Sequence, residues 1–112
     1  MHIKQEDKNG ILKCFISGDV DINTAVQLKK TFDRILSQKK DRIVLNFKDV
    51  TYIDSSGLAT LVEIFKQLRS YGGKLKLTNL STKIKNLFEI TKLDKLFDIL
   101  SDDEEAERAL AT

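Results

Sequence analysis

Apolar and polar residues alternate between two periods along this chain, and the switches between them mark its elements. Ile11 to Ser17 is rich in β-branched and aromatic residues and alternates in part, which predicts a strand. Asn9-Gly10 before it is a hairpin signal, so His2 to Asp7 is predicted as a short antiparallel edge strand. Ala25, Leu28, Phe32, Ile35 and Leu36 then fall on one helix face, with Asn23 or Thr24 as N-cap. Ile43 to Phe47 is a nearly continuous apolar run, the mark of a strand covered on both sides. Leu58, Leu61, Val62, Phe65 and Leu68 give a second helix face, which Gly72-Gly73 stops. Lys74 to Thr78 alternates as a strand. Ser81 to Ile90 reads as a third helix with Ile84, Leu87 and Phe88 inward, and Phe97 to Leu100 as a short strand. Ser101 and Glu104 are spaced as a capping box, opening a last helix that runs to about Leu110.

The predicted order is β-β-α-β-α-β-α-β-α. Strands alternating with helices imply an α/β fold, a small mixed sheet with parallel crossovers, flanking helices and one antiparallel edge. At 112 residues and 41% hydrophobic composition the chain has the size of one domain, and no Pro-rich or Gly/Ser linker divides residues 1–112.

Charge and reactive side chains narrow the function. Nineteen basic and 17 acidic residues leave a net charge of +2, which argues against direct nucleic-acid binding. Cys14 lies in an apolar run and reads as a buried, inert thiol. No apolar run approaches the roughly 20 residues that span a bilayer, and the N-terminus has no apolar signal core, so a soluble cytoplasmic protein without membrane contact is expected. His2 is the only histidine, which deprives any serine nucleophile of its usual base. Neither G-x-S-x-G, G-x-x-x-x-G-K-[ST] nor G-x-G-x-x-G occurs. Asp102 to Glu105 form the one acidic cluster and read as a solvated helix start. No enzyme activity, cofactor or metal is therefore expected. Lys83, Lys85, Lys92 and Lys95 flank the third helix; they read as its wet face, with attraction of an acidic partner as the alternative.

Two polar clusters follow predicted strands, Gly18-Asp19-Val20-Asp21 and Asp54-Ser55-Ser56-Gly57. Sites in open α/β sheets gather at the carboxyl ends of strands. The second cluster reads as a helix start capped by Asp54 or Ser55, where Gly57 admits a neighbouring backbone. The same geometry suits a phosphoserine at Ser55, because a helix N-terminus favours an added phosphoryl group by roughly 0.3–1 kcal/mol. That charge would weigh little on the fold and heavily on a partner packed against the site.

The segments GDVD (18–21), IVLNF (43–47), YIDSSGL (52–58), GGKLKL (72–77) and LFEITKLDKLFDIL (87–100), in this order and spacing, resemble the STAS domain family. More narrowly, they resemble the stand-alone bacterial anti-sigma factor antagonists, and the resemblance covers nearly the whole chain. It implies a regulatory binding protein. In its unphosphorylated state such a protein binds an anti-sigma factor, often an ATP-binding serine kinase, and frees the sigma factor. Phosphorylation by that kinase releases it, and a phosphatase resets it. By position the resemblance implies Ser55 as phosphoacceptor, with Ser56 as the alternative. It also implies Asp21, Asp54, Ser56 and Gly57 at the partner and kinase contact. A monomer or weak dimer is expected. STAS domains also serve as non-switching subunits of membrane transport assemblies, which is the alternative function. The family often carries a second glycine after DSSGL, where this chain has Ala59.

Overall fold

A computed structural model describes residues 1–111. Its elements are β1 (His2–Lys8), β2 (Ile11–Val20), α1 (Ala25–Ser37), β3 (Arg42–Ile53), α2 (Ser55–Arg69), β4 (Lys74–Thr78), α3 (Thr82–Ile90), β5 (Asp98–Leu100) and α4 (Asp103–Leu110), with a 3₁₀ turn at Leu93–Lys95 before β5. The order is the one the sequence predicts. The strands form one five-stranded sheet in chain order, β1 antiparallel to β2 and the other neighbours parallel. Asn9 (φ 54°) and Gly10 (φ 80°) make the two-residue hairpin, whose positive φ angles match the twist of the strands.

The period-two pattern sorts the sheet into two layers. Leu12, Cys14 and Ile16 of β2, Ile43, Leu45 and Phe47 of β3, and Leu75 and Leu77 of β4 face α1, α2 and α3. Leu28, Phe32 and Ile35 of α1, Leu61, Ile64 and Leu68 of α2, and Ile84 and Phe88 of α3 close on them. Each such side chain contributes about 1.5–3 kcal/mol by leaving water. Phe88 sits edge-on between Phe47 and Phe97, at centroid distances of 6.5 and 5.7 Å, and fixes α3 against the sheet. The opposite layer is thinner, with Ala106 and Leu110 of α4 covering Ile11 and Val44. Cys14 is buried as expected, and burial pushes its thiol pKa up to about 12.

Several local expectations change. β2 runs on from Ser17 to Val20, so Gly18 and Asp19 lie in the strand and only Asp21 follows it. β3 continues six residues past Phe47. Fully buried Ile64 belongs to the inner face of α2, while Val62 and Phe65 are only half-buried beside it. Phe97 is buried just before β5 rather than within it. The last helix is capped by Asp102, which accepts from Glu105 N–H (2.9 Å), and Glu105 accepts from Ser101 N–H (3.3 Å), so the capping box sits one residue later than predicted.

Asp103 also departs from the solvated start read for its cluster. Its carboxylate accepts from Thr78 Oγ1 (2.6 Å) and Asn46 Nδ2 (3.1 Å), and it lies 3.5 Å from Lys13 Nζ. The fold gives this acid three donors on the sheet below it, which is why it turns inward.

Candidate partner-binding site

β2 and β3 end side by side, with Val20 opposite Ile53, and both chains then turn into helices. Asp54 N–H donates to the Val20 carbonyl (3.2 Å), which ties the second turn to the end of the first strand.

At the first turn, Asp21 Oδ1 accepts from Asn23 N–H (2.9 Å) and Thr24 N–H (3.1 Å). Thr24 Oγ1 accepts from Asp21 N–H (2.9 Å) and donates to the Asp19 carbonyl (2.8 Å). Thr24 occupies the N-cap position of α1 without a side-chain cap bond of its own kind. The N-cap is thus Thr24, one of the two expected residues, while Asp21 rather than the cap side chain satisfies the Asn23 and Thr24 N–H groups. This interlock shapes the turn because aspartate readily bonds the backbone two residues on.

At the second turn Asp54 is the N-cap, resolving the choice between Asp54 and Ser55. Its Oδ1 accepts from Gly57 N–H (3.0 Å) and its Oδ2 from Ile22 N–H (3.2 Å). One carboxylate thus caps α2 and bridges to the Asp21 turn. Gly57 is required by close approach. A Cβ there would lie 2.6 Å from the Val20 carbonyl oxygen and 2.8 Å from Ile53 Cγ1, so α2 starts pressed against the end of β2.

Ser55 is the first residue of α2 and is exposed; no described residue hydrogen-bonds its hydroxyl or its N–H. Ser56 is half-buried, and its carbonyl accepts from Thr60 Oγ1 (2.9 Å). The structure therefore brings Asp21, Asp54, Ser55, Ser56 and Gly57 to one edge and presents Ser55 as the open hydroxyl.

Apolar surface flanks Ser55 on both sides. From Asp54 and Ser55 a groove of about 620 Å³ runs to α3, between Tyr52 and Leu58 on one wall and Leu87 and Ile90 on the other, with Lys83 along it. Ile90 is 77% exposed and Tyr52 46%. Beyond Asp54, Ile22 (70%) and Val26 (58%) stand out from the start of α1. Of these four, the sequence reading marks only Tyr52, as the first residue of YIDSSGL. The usable signal is phase, since Val26 and Ile90 are apolar residues off the buried stripes of their helices. Among the described residues no group of His, Cys, Asp and Glu is arranged to hold a metal ion, and no helix is long and apolar enough to cross a membrane.

The STAS domain profile matches residues 2–106. The anti-sigma-B factor antagonist of Bacillus subtilis (strain 168) is 39% identical over 98 residues, 87% of this chain and 86% of that protein. A crystal structure from Thermotoga maritima, provisionally named an anti-sigma factor antagonist, superposes with a TM-score of 0.93 at 26% identity and covers 98% of this chain and 95% of its own. The Bacillus cell fate determinant SpoIIAA in its phosphorylated form superposes with a TM-score of 0.74 over 96% of this chain and 99% of its own. Its 19% identity makes that a likeness of fold.

Proposed function

The chain belongs to the STAS domain family, and we propose that it works as an anti-sigma factor antagonist whose binding is switched off by a phosphate on Ser55. The observation that carries the site is the exposed, unengaged Ser55 hydroxyl at the first position of α2. In its unphosphorylated state residues 1–112, acting as one STAS domain, bind an ATP-binding anti-sigma factor serine kinase and free the sigma factor. The protein supplies no catalytic group. The kinase transfers the γ-phosphoryl of ATP, so that a bond forms between Ser55 Oγ and phosphorus, the bond to ADP breaks, and the hydroxyl proton leaves to the kinase or to water. A phosphatase returns the hydroxyl. ATP and sigma factors place this cycle in the cytoplasm, and a monomer or weak dimer suffices for it.

The residues divide the work. Asp54 holds the turn that presents Ser55 and Asp21 holds the turn beside it. Gly57 lets α2 approach close enough for Asp54 to reach both. Ser56, half-buried, is less accessible to a kinase than Ser55. The test is incubation with the cognate kinase and ATP, followed by mass-spectrometric mapping. Ser55→Ala is expected to abolish incorporation and Ser56→Ala to retain it. Equal labelling of Ser55→Ala and wild type would remove the assignment.

A further inference from the structure

The groove between the start of α2 and α3 is not needed to present Ser55, and its exposed Ile90 and Tyr52 have no covering element. We propose that it docks an apolar, acid-bearing helical segment of the anti-sigma factor, with Lys83 selecting for the acid; this rests on the antagonist reading above.

Three observations choose that occupant. First, the apolar walls are formed by Tyr52, Leu58, Leu87 and Ile90, and α3 has nine residues, about 13 Å of wall. An amphipathic helix of two to three turns lays side chains at i, i+3, i+4 and i+7 along such a trough. Second, the charge on the groove has one usable sign. Lys83 is the one cation lining it and Asp54 the one anion. Asp54 has both oxygens engaged by backbone N–H groups, whereas Lys83 forms no ion pair among the described residues. Along α3 and past its C-terminal end, Lys85, Lys92 and Lys95 are exposed and outnumber Glu89 and the partly buried Asp94. An acid-bearing segment fits this face and a basic one does not. Third, Ser55 lines the same groove. A phosphate there adds about two negative charges at the end of a trough that favours acidic occupants, so one charge preference explains both docking and release.

The test uses the ¹⁵N-labelled protein and two synthetic 14-residue helical peptides. Each carries leucines on one face, with glutamates on the other face of one and lysines on the other face of the second. The glutamate peptide is expected to shift the resonances of residues 52–58 and 84–91 and to bind about tenfold more tightly than the lysine peptide. Ile90→Ser, at an exposed position whose fold is checked by the same spectra, is expected to weaken it about tenfold. Lys83→Glu is expected to reverse the preference. Phosphoserine placed at position 55 by genetic encoding is expected to weaken the glutamate peptide.

Equal binding of the two peptides, or shifts confined to other surfaces, would overturn the proposal. So would concentration-dependent self-association that Ile90→Ser abolishes, which would assign the groove to a second copy of the chain. The two readings fail separately. If a kinase phosphorylates Ser55 yet binds Ile90→Ser as it binds wild type, the groove assignment is wrong and the switch stands. If the groove takes the acidic peptide but Ser55 accepts no phosphate, the switch is wrong and the groove stands.

Discussion

Gly57 shows how one residue sets the geometry of the turn that presents Ser55. Alanine there gains at most about 1 kcal/mol of helix propensity over glycine. Against that gain, its Cβ meets a backbone oxygen at 2.6 Å and the Ile53 side chain at 2.8 Å, neither of them the end of a flexible chain. Overpacking of this kind costs about 1–3 kcal/mol, so the clash wins. Gly57→Ala is expected to lower unfolding free energy in urea by about 1–2 kcal/mol. It should also loosen the Asp54 bonds, seen as faster exchange of the Gly57 and Ile22 amides. Unchanged stability would mean that α2 is free to slide. Cys14 carries a prediction of the opposite kind, about inertness. Burial raises its thiol pKa from 9.0 to about 12. The unfolded chain therefore loses this proton at lower pH than the native protein does. The stability linked to Cys14 is fully present below pH 9 and is lost as pH rises toward 12. Wild type is expected to lose stability above pH 9 more steeply than Cys14→Ala, by up to about 1.4 kcal/mol per pH unit. Native protein at pH 8 should not react with a thiol reagent. Rapid native labelling would contradict the buried position.

Among the elements, α4 depends most on polar contacts. Its apolar layer is small, and Asp103 is its deepest tie to the sheet, through Thr78, Asn46 and Lys13. Burial works against the charge on Lys13, but Asp103 and Glu107 outweigh it and hold its pKa above the ordinary value. Asp103→Ala would strand the fully buried Thr78 hydroxyl and leave the buried Asn46 amide N–H only its 3.4 Å bond to Asn79 Oδ1. The expected loss is about 2–3 kcal/mol in urea unfolding, and Asp103→Asn, which keeps an acceptor, should lose less. Equal losses in the two would put the effect in helix packing instead. None of this was legible in the sequence. Lys13 stands out as a charge in an apolar strand, but its partners lie about 90 residues on and only the folded sheet brings them together. The helices were legible because their buried faces follow the helical period for several turns. The far half of β3 was not. After Phe47 its buried residues are Val50 and Ile53, a spacing of three, where the pairing with β2 shifts register at Phe15/Ser17 and Gly18/Asp19. Such irregularities break the period of two that a strand reading needs. The one-residue shift of the cap at α4 has a local cause. Ser101, Asp102 and Asp103 crowd the start of α4, and residue type alone does not decide which of them caps. At Asp54 strand and cap abut, and there the sequence motif and the structure agree.

For the whole molecule, the question is whether the proposed phosphate works by changing the fold or by changing the surface. Ser55 is exposed, its hydroxyl bonds no described residue, and it sits at the positive end of the 15-residue α2. Phosphate there interacts favourably with the helix end by roughly 0.3–1 kcal/mol, and the nearby Asp54 carboxylate opposes it by a comparable amount. The two nearly cancel, so protein with phosphoserine encoded at position 55 is expected to unfold within about 1 kcal/mol of the unmodified chain. The partner meets a different balance. If its surface closes over Ser55 and the flanking apolar groups, as proposed, an unpaired charge buried there costs several kcal/mol. A loss of about 3 kcal/mol is a drop of more than a hundredfold in affinity. Calorimetric titration of the ADP-bound anti-sigma kinase against both forms, beside urea unfolding of each, measures the two quantities on the same material. A large affinity loss with unchanged stability is the expected pair. If stability falls by several kcal/mol along with affinity, phosphate acts by loosening α2 from the sheet, and the Asp54 turn is then the moving part.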